Sequence, residues 1–183
     1  MKSLIKPGLI LCSALLTGMP LFSQVKTDQS LTNSQNEAKM YNQDKNKAAV
    51  RKLYEEILNT GKLELLNQVV SEEFIGVREA KGPAGFAATI SPVRAAFPDI
   101  KWTIEDLIAE GDKVVVRWTW KGTNTGSFAG FPPCNKQVTH SAISIFQFSD
   151  DKIIKAWMAA DRLDFFQQIG VISADITTPP AKK

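Results

Sequence analysis

The 183-residue sequence predicts an α+β domain in which N-terminal helices pack on one face of a strongly curved antiparallel sheet. Apolar residues recur at helical spacing from Ala49 to Leu58. Four extended apolar runs follow between Lys101 and Ala160, and turn residues at Gly111 and at 149–151 join them as hairpins. Because helices come first, strands second and one helix last, the order favours α+β over an alternating α/β fold.

Three further segments follow the first helix. A short helix is predicted from Leu63 to Val69, and an extended piece from Phe74 to Val77. A longer helical stretch runs from Gly82 to near Phe97, and Pro92 interrupts its pattern. Since Ser91 precedes that proline, we expect the helix to restart there with Ser91 as its cap.

The sheet is predicted from four runs of extended character. They are Lys101–Ala109, Asp112–Lys121, Lys136–Phe148 and Ile153–Ala160. A final helical pattern begins at Asp161 and is closed by Gly170.

The first 23 residues read as a secretory signal peptide. Lys2 and Lys6 precede an apolar run from Leu9 to Leu16, and Ser23 is a small residue suited to cleavage before Gln24. The run is shorter than the roughly 20 apolar residues of a membrane span, so no stable span is expected. We therefore expect an exported protein, periplasmic or secreted, with an uncleaved N-terminal anchor as the alternative.

Composition divides the remaining chain into three parts. Residues 24–45 are polar with few large apolar groups, and such a segment buries too little surface to offset its ordering entropy, so a flexible linker is expected. Residues 46–173 form the predicted domain, and residues 174–183 a flexible C-terminal tail. Loss of the signal lowers the formal charge from +3 to +1, which leaves no electrostatic footprint for nucleic acid.

Cysteine and histidine usage restricts the chemistry. Cys134 is the single cysteine beyond the signal, so no internal disulfide is expected. His140 is the only histidine, which disfavours both a nucleophilic cysteine and a metal site. We expect no cofactor and no metal.

The loop from Gly122 to Lys136, GTNTGSFAGFPPCNK, is rich in glycine and proline. These residues fix a tight path, and Phe128 and Phe131 offer rings that could cover a pocket. A phosphate-binding role is excluded because the glycines lack the dinucleotide spacing and no Lys-Ser or Lys-Thr pair opens a helix after them.

Asp161 is the candidate catalytic residue. On an extended chain it shares a face with Trp157 and Ala159, so apolar surroundings would raise its pKa above the usual value of about 3.9. A carboxyl group of that kind can take and return a proton. The alternative is that Asp161 is an N-cap, which satisfies free backbone amides at the start of the last helix.

The chain from about Ala49 to Ile172 resembles the SnoaL-like polyketide cyclases, also called ester cyclases, of the nuclear transport factor 2-like superfamily. The pieces that carry the resemblance are VRKLYEEILNTGKLELLNQVVSEEF, AAFPDI with TIEDLIAEGDKVVVRW, the GTNTGSFAGFPP loop, and W-x-x-x-D from Trp157 to Asp161 leading to QQIG. The resemblance implies a cone-shaped α+β barrel around a ligand cavity, a homodimer or higher homo-oligomer, and an acid–base role for Asp161.

The sequence departs from the family pattern in the loop. Asn124 stands where the family commonly has histidine, and an amide cannot titrate near neutral pH. His140 lies in the next strand. Its side chain either lines the pocket or has its hydrogen bonds made on a face of the sheet. Arg117 and Trp118 point to opposite faces of their strand, and which one points inward is left open. Candidate substrate-binding residues are Trp157, His140, Asn124, Phe128, Phe131 and Arg117.

Two functions remain open at this stage. One is a cyclase, isomerase or lyase that uses acid–base chemistry on a small apolar carbonyl compound. The other is a non-catalytic exported module that binds an apolar small molecule or dimerises, because fold alone does not fix function.

Overall fold

The computed structural model describes residues 22–173 and residue 175. Its helices are α1 (Phe22–Arg51), α2 (Gly82–Ala96) and α3 (Arg162–Gln168), and its strands are β1 (Val70–Ile75), β2 (Lys101–Glu110), β3 (Lys113–Thr123), β4 (Gln137–Ser149) and β5 (Lys152–Ala160). A π-helical segment, Lys52–Leu58, continues α1, and short 3-10 turns cover Leu63–Gln68 and Val77–Glu79. The predicted signal peptide and C-terminal tail lie almost wholly outside the described residues and stay predictions.

Helix α1 covers the segment that we expected to be a flexible linker. Residues 24–45 are helical, and the expectation that they form a flexible tether stays a prediction. Neither glycine nor proline occurs between Phe22 and Arg51, so no residue breaks the helix once its C-terminal end is fixed. That end is fixed because Asn46 and Val50 are buried, while all side chains from residue 31 to residue 42 are exposed. The described residues from Glu37 onward belong to one compact unit, and those before Glu37 to a separate one.

Helix α2 runs through Pro92 without a break, so the predicted stop and restart at Ser91 is wrong. A proline removes one backbone hydrogen bond, here to the carbonyl of Ala88. Ala88 and Pro92 both lie on the exposed side of the helix, where water can bond to that carbonyl. The Ser91 hydroxyl donates to the Ala87 carbonyl at 2.8 Å instead of capping a new helix.

The five strands form one curved sheet in the order β1-β5-β4-β3-β2. Strands β2 to β5 are antiparallel, as predicted, and each begins and ends within two residues of its predicted bounds. Strand β1 differs from the prediction because it begins four residues earlier and pairs in parallel with β5. Tight turns join β2 to β3 and β4 to β5, with positive φ at Gly111 (59°), Asp150 (50°) and Asp151 (62°).

The inner face of the sheet carries the core. Along β3 and β4 the even-numbered side chains point inward and most are buried, including Val116, Trp118, Trp120, Phe146 and Phe148. The first helical layer packs on them through Leu53, Tyr54 and Ile57, of which the largest exposure is 3%. The question left open by the sequence is thereby answered, because Trp118 points inward and Arg117 outward.

A β-bulge in β5 decides which of its side chains face inward. Phe148 pairs with Ile153 and Gln147 with Lys155, so Ile154 is the extra residue. Beyond the bulge Ala156 pairs with the inward Phe146, and Trp157 pairs with Ile145 on the outer face.

Candidate functional site

His140 lies at the centre of an aromatic cluster on the inner face of the sheet. It sits on β4 opposite Trp120 of β3. The ring centroids of Trp118, Trp120 and Phe165 lie 6.0, 5.5 and 5.1 Å from the imidazole. Nδ1 of His140 is buried and has no hydrogen-bond partner among the described residues. We call His140 and these three rings the inner-face site.

The surroundings of His140 favour its neutral form. Burial lowers the pKa of the imidazole, which is the largest effect. The charges of Asp161 and Asp164 and a hydrogen bond to the backbone of Asp161 raise that pKa, while Arg162 lowers it. Because the net direction is downward from 6.5, His140 is neutral at pH 7 and has a lone pair available.

Buried hydrogen-bonding groups lie on the same face beneath the cluster. Nε1 of Trp118 donates to the Ser144 hydroxyl at 3.0 Å. Burial raises the pKa of Tyr54, and hydrogen bonds with Ser144 and Trp118 oppose that effect in part. Tyr54 therefore keeps its phenolic proton at physiological pH and remains a donor.

Asp161 is exposed and caps α3. Its Oδ1 accepts a hydrogen bond from the Asp164 amide at 3.1 Å, and its own amide donates to the Ser141 carbonyl at 3.2 Å. The predicted apolar surroundings are therefore wrong, because the residue follows the outward-facing positions of β5. The capping alternative is observed, and a catalytic role for Asp161 stays a prediction. Its charge nevertheless acts on His140, one strand away.

Two predicted substrate-binding residues lie on the outer face. Arg117 forms an ion pair with Asp106, with 2.6 Å between Nε and Oδ2. Trp157 is 40% exposed, and the Lys155 ammonium lies 5.0 Å from its ring centroid. The sheet separates both residues from His140, so the structure does not bring them into the inner-face site.

Asn124 anchors the loop between β3 and β4. It is 2% exposed. Its amide nitrogen donates to the carbonyls of Ala96 and Gly126, at 3.3 and 2.9 Å, and its side-chain oxygen accepts from the Cys134 amide at 2.8 Å. These bonds occupy the side chain, so Asn124 fixes the loop against the end of α2. Gly126 is needed there because an added Cβ would lie 2.4 Å from the Ala95 carbonyl oxygen.

The two loop phenylalanines have different surroundings. Phe128 packs against the core, with ring centroids 5.3 Å from Phe165 and 6.1 Å from Phe97. Phe131 is 38% exposed and lies 6.3 Å from Phe166. Their backbones bond to each other in both directions. The structure thus brings Phe128 to the edge of the inner-face site and leaves Phe131 at the surface.

Sequence reasoning missed four residues at or beneath this site: Tyr54, Trp120, Ser144 and Phe165. The sequence does carry a signal for two of them. Side chains alternate between the two faces along β3 and β4, so Trp120 and Ser144 share a face with Trp118 and His140. No comparable signal marks Tyr54 or Phe165, because each sits in an apolar helical stripe.

Two further observations bear on function. Within residues 22–173 and residue 175, no group of three or more His, Cys, Asp or Glu side chains could hold a metal ion. In the same part of the chain, no helix is both long and apolar enough to cross a membrane.

The fold and this site define a cone-shaped α+β protein of the nuclear transport factor 2-like kind. Residues 48–169 match the family model for the SnoaL-like polyketide cyclase, so the chain belongs to that family, as the sequence motifs predicted. A search among curated proteins finds no match.

Solved structures agree with this assignment. TsrD from Streptomyces laurentii is similar at 28% identity and a TM-score of 0.63, over 68% of this chain and 97% of that one. A protein from Bacillus cereus is 32% identical with a TM-score of 0.58, over 68% and 80% of the two chains. A SnoaL-like polyketide cyclase from Agrobacterium tumefaciens, at 20% identity and a TM-score of 0.57, covers 64% and 92% and shows the fold alone. Family membership supports a cyclase- or isomerase-type function in general.

Proposed function

We propose that the protein uses acid–base chemistry without a cofactor to cyclise or isomerise a small apolar carbonyl compound in the inner-face site. The observation that carries this proposal is the arrangement around His140. A neutral imidazole with an unbonded nitrogen lies among three aromatic rings, with the charge of Asp161 at its border. His140 is the group at the centre of the site that can accept and return a proton, and the charge of Asp161 acts on its imidazole.

The proposed chemistry needs few functional groups. Removal of a proton next to a carbonyl group gives an enolate, which is protonated elsewhere or attacks a second carbonyl of the same molecule. Fixing the reacting carbons in place can lower the barrier by about 7 to 11 kcal/mol, and positioned acid–base groups add roughly 10²- to 10⁴-fold. An apolar wall with one proton acceptor is therefore sufficient.

The proposal is tested with an apolar ketone whose α-hydrogens exchange slowly in water. Incubation of 2-tetralone with the purified protein in D₂O, followed by proton NMR, measures exchange directly. We expect loss of the α-proton signal at a rate well above that of the buffer. If exchange is no faster than in buffer at ketone concentrations that saturate the protein, the proposal is contradicted.

A second candidate function is a self-associating module, and the outer face of the sheet favours it. Four apolar side chains pair across β2 to β5 to form a continuous outer row: Ile108, Val115, Ile145 and Trp157. Ile108 is 64% exposed and Trp157 40%. Exposed apolar surface of this kind is typical of association sites.

The outer row is self-complementary about a two-fold axis parallel to the strands. That axis places Ile108 against Trp157 of the partner subunit, and it places Glu110, one row away, against Lys155 of the partner subunit. We propose a homodimer on this face. Light scattering should show a dimer for the wild-type protein, a monomer for Trp157→Glu, and a dimer for Met40→Glu, which changes an exposed apolar side chain on α1. A wild-type monomer, or a dimeric Trp157→Glu variant, contradicts it.

We also propose that the protein is exported, on the basis of its charged and apolar N-terminal sequence.

A further inference from the structure

We propose that Nδ1 of His140 is the atom that takes the substrate proton, and that Asp161 acts as a positioning residue which stabilises the charged imidazole. This inference rests on the proposed function, because it assigns the roles of the two groups within the same site. It also departs from the sequence-based expectation, which gave the proton transfer to Asp161.

The first argument is the state of Nδ1. This nitrogen is buried without a hydrogen-bond partner in the described part of the chain. A buried polar atom of this kind costs about 1 to 3 kcal/mol, so native proteins satisfy nearly all of them. A proton acceptor must be unbonded before substrate arrives, and Nδ1 meets that condition.

The second argument is the tautomer. The Asp161 backbone bonds to the imidazole, and the direction of its effect is that of an acceptor carbonyl. Because Nδ1 has no partner, that bond falls to Nε2. Nε2 then carries the proton of the neutral ring, and the lone pair lies on Nδ1.

The third argument is that the Asp161 carboxylate is already engaged. Its Oδ1 accepts from the Asp164 amide at the start of α3, and the side chain is exposed to water. From this position its charge favours the imidazolium that forms when Nδ1 takes a proton. Asp164 acts in the same direction and Arg162 opposes both, and these three are the charged groups that act on the ring.

The aromatic rings define the substrate class. Trp118, Trp120 and Phe165 meet the imidazole at tilted or edge-on angles between 56° and 67°. These apolar walls fit a flat, apolar, enolisable ketone. Phe165, whose ring is the nearest of the three to the imidazole, belongs to the seven-residue helix α3.

The step balances without another reactant. The Nδ1 lone pair forms an N–H bond while the C–H bond next to the carbonyl breaks, and that bonding pair forms the C=C bond of an enolate with its charge on oxygen. The imidazolium then gives its proton to a different carbon of the delocalised anion, which completes an isomerisation. In D₂O the imidazolium first exchanges its proton for a solvent deuteron, and transfer of that deuteron to the original carbon completes an exchange. In a ring closure the enolate carbon first bonds to a second carbonyl carbon, and the proton goes to the resulting alkoxide.

The test uses the exchange of 2-tetralone in D₂O together with nitrogen-15 NMR of the histidine ring. His140 is the only histidine of the sequence, so its signals need no assignment. We expect the Nε2–H tautomer at pH 7. His140→Gln and His140→Phe should each lose exchange by about 100-fold or more, while Ser141→Ala, an exposed position on the same strand, stays within twofold of wild type. Circular dichroism of the two His140 variants reports whether they are folded.

Asp161→Asn separates the two roles. If Asp161 is a positioning residue, the Asp161→Asn variant keeps most of its exchange rate. Its pH profile shifts to lower pH, because the charge that raises the pKa of His140 is gone. Loss of exchange in Asp161→Asn with retention in folded His140→Gln would overturn the inference and leave the proposed function in place. An Nδ1–H tautomer would overturn it as well. No exchange by the wild-type protein would overturn the proposed function and this inference together.

Discussion

Asp161 has a structural task that can be measured independently of any activity. Its carboxylate caps α3 through the Asp164 amide at 3.1 Å. Asp161→Asn keeps an oxygen in that position and should unfold with nearly wild-type free energy, whereas Asp161→Ala loses the cap and about 0.5 to 2 kcal/mol. Urea unfolding of both variants checks this. Equal stability of the alanine and asparagine variants would show that the cap contributes nothing.

His140 should make the stability of the protein depend on pH. Burial lowers the pKa of its imidazole in the folded state below the value of 6.5. The unfolded chain then binds the proton more readily, so stability is complete above about pH 6.5 and falls as the pH drops through the lower, folded-state pKa. Thermal unfolding between pH 4 and pH 8 should show this loss in the wild-type protein and a smaller one in His140→Phe. Identical pH profiles for the two proteins would exclude the effect.

Gln168 attaches helix α3 to the sheet by hydrogen bonds, in addition to the packing of Phe165. Gln168 accepts a hydrogen bond from the Thr139 amide at 2.9 Å and donates to the Thr139 carbonyl at 2.7 Å, next to His140 on β4. Each such bond contributes about 0.5 to 1.5 kcal/mol. Gln168→Ala should therefore loosen α3, and His140 should react faster with diethyl pyrocarbonate. Leu163→Ala, an exposed position of the same helix, is the control, and equal reactivity in both variants contradicts the attachment.

The loop between β3 and β4 should respond differently at its two phenylalanines. The sequence predicted that both rings could cover a pocket. Phe128 is instead partly buried against Phe97 and Phe165, so Phe128→Ser should destabilise the fold by about 1 to 2 kcal/mol, less than full burial of a ring contributes. The more exposed Phe131→Ser should change stability by about 0.5 kcal/mol or less. Urea unfolding distinguishes them, and equal losses would contradict the assignment.

At the scale of the whole molecule, export remains to be measured. The charged start and the apolar run from Leu9 to Leu16 predict cleavage after Ser23. N-terminal sequencing of the protein from the medium or periplasm should begin at or near Gln24. A sequence that begins at Met1 in the exported fraction contradicts the prediction.

Local rules predicted the architecture better than the site. Helical spacing and alternation placed α2 and strands β2 to β5, because each pattern is set within a few residues. The parallel pairing of β1 with β5 joins residues about 80 positions apart, which no local pattern records. The predicted break of α2 at Pro92 failed for a related reason. Whether a helix continues past a proline depends on what surrounds the carbonyl that loses its hydrogen bond. Family motifs identified the chain, but the side on which Trp157 and Asp161 lie depended on the sheet.

The bulge at Ile154 makes the strand tolerant of a change in length. It lets Ile153 and Ala156, three positions apart, both face inward. Deletion of Ile154 would restore strict alternation from Ile153 onward, because the extra residue has no partner on β4. Lys155, Ala156 and Trp157 would keep their partners, so the inner and outer faces would keep their side chains. The codon for Ile154 is therefore a position at which related proteins can differ in length without moving side chains between a reaction chamber and an association surface.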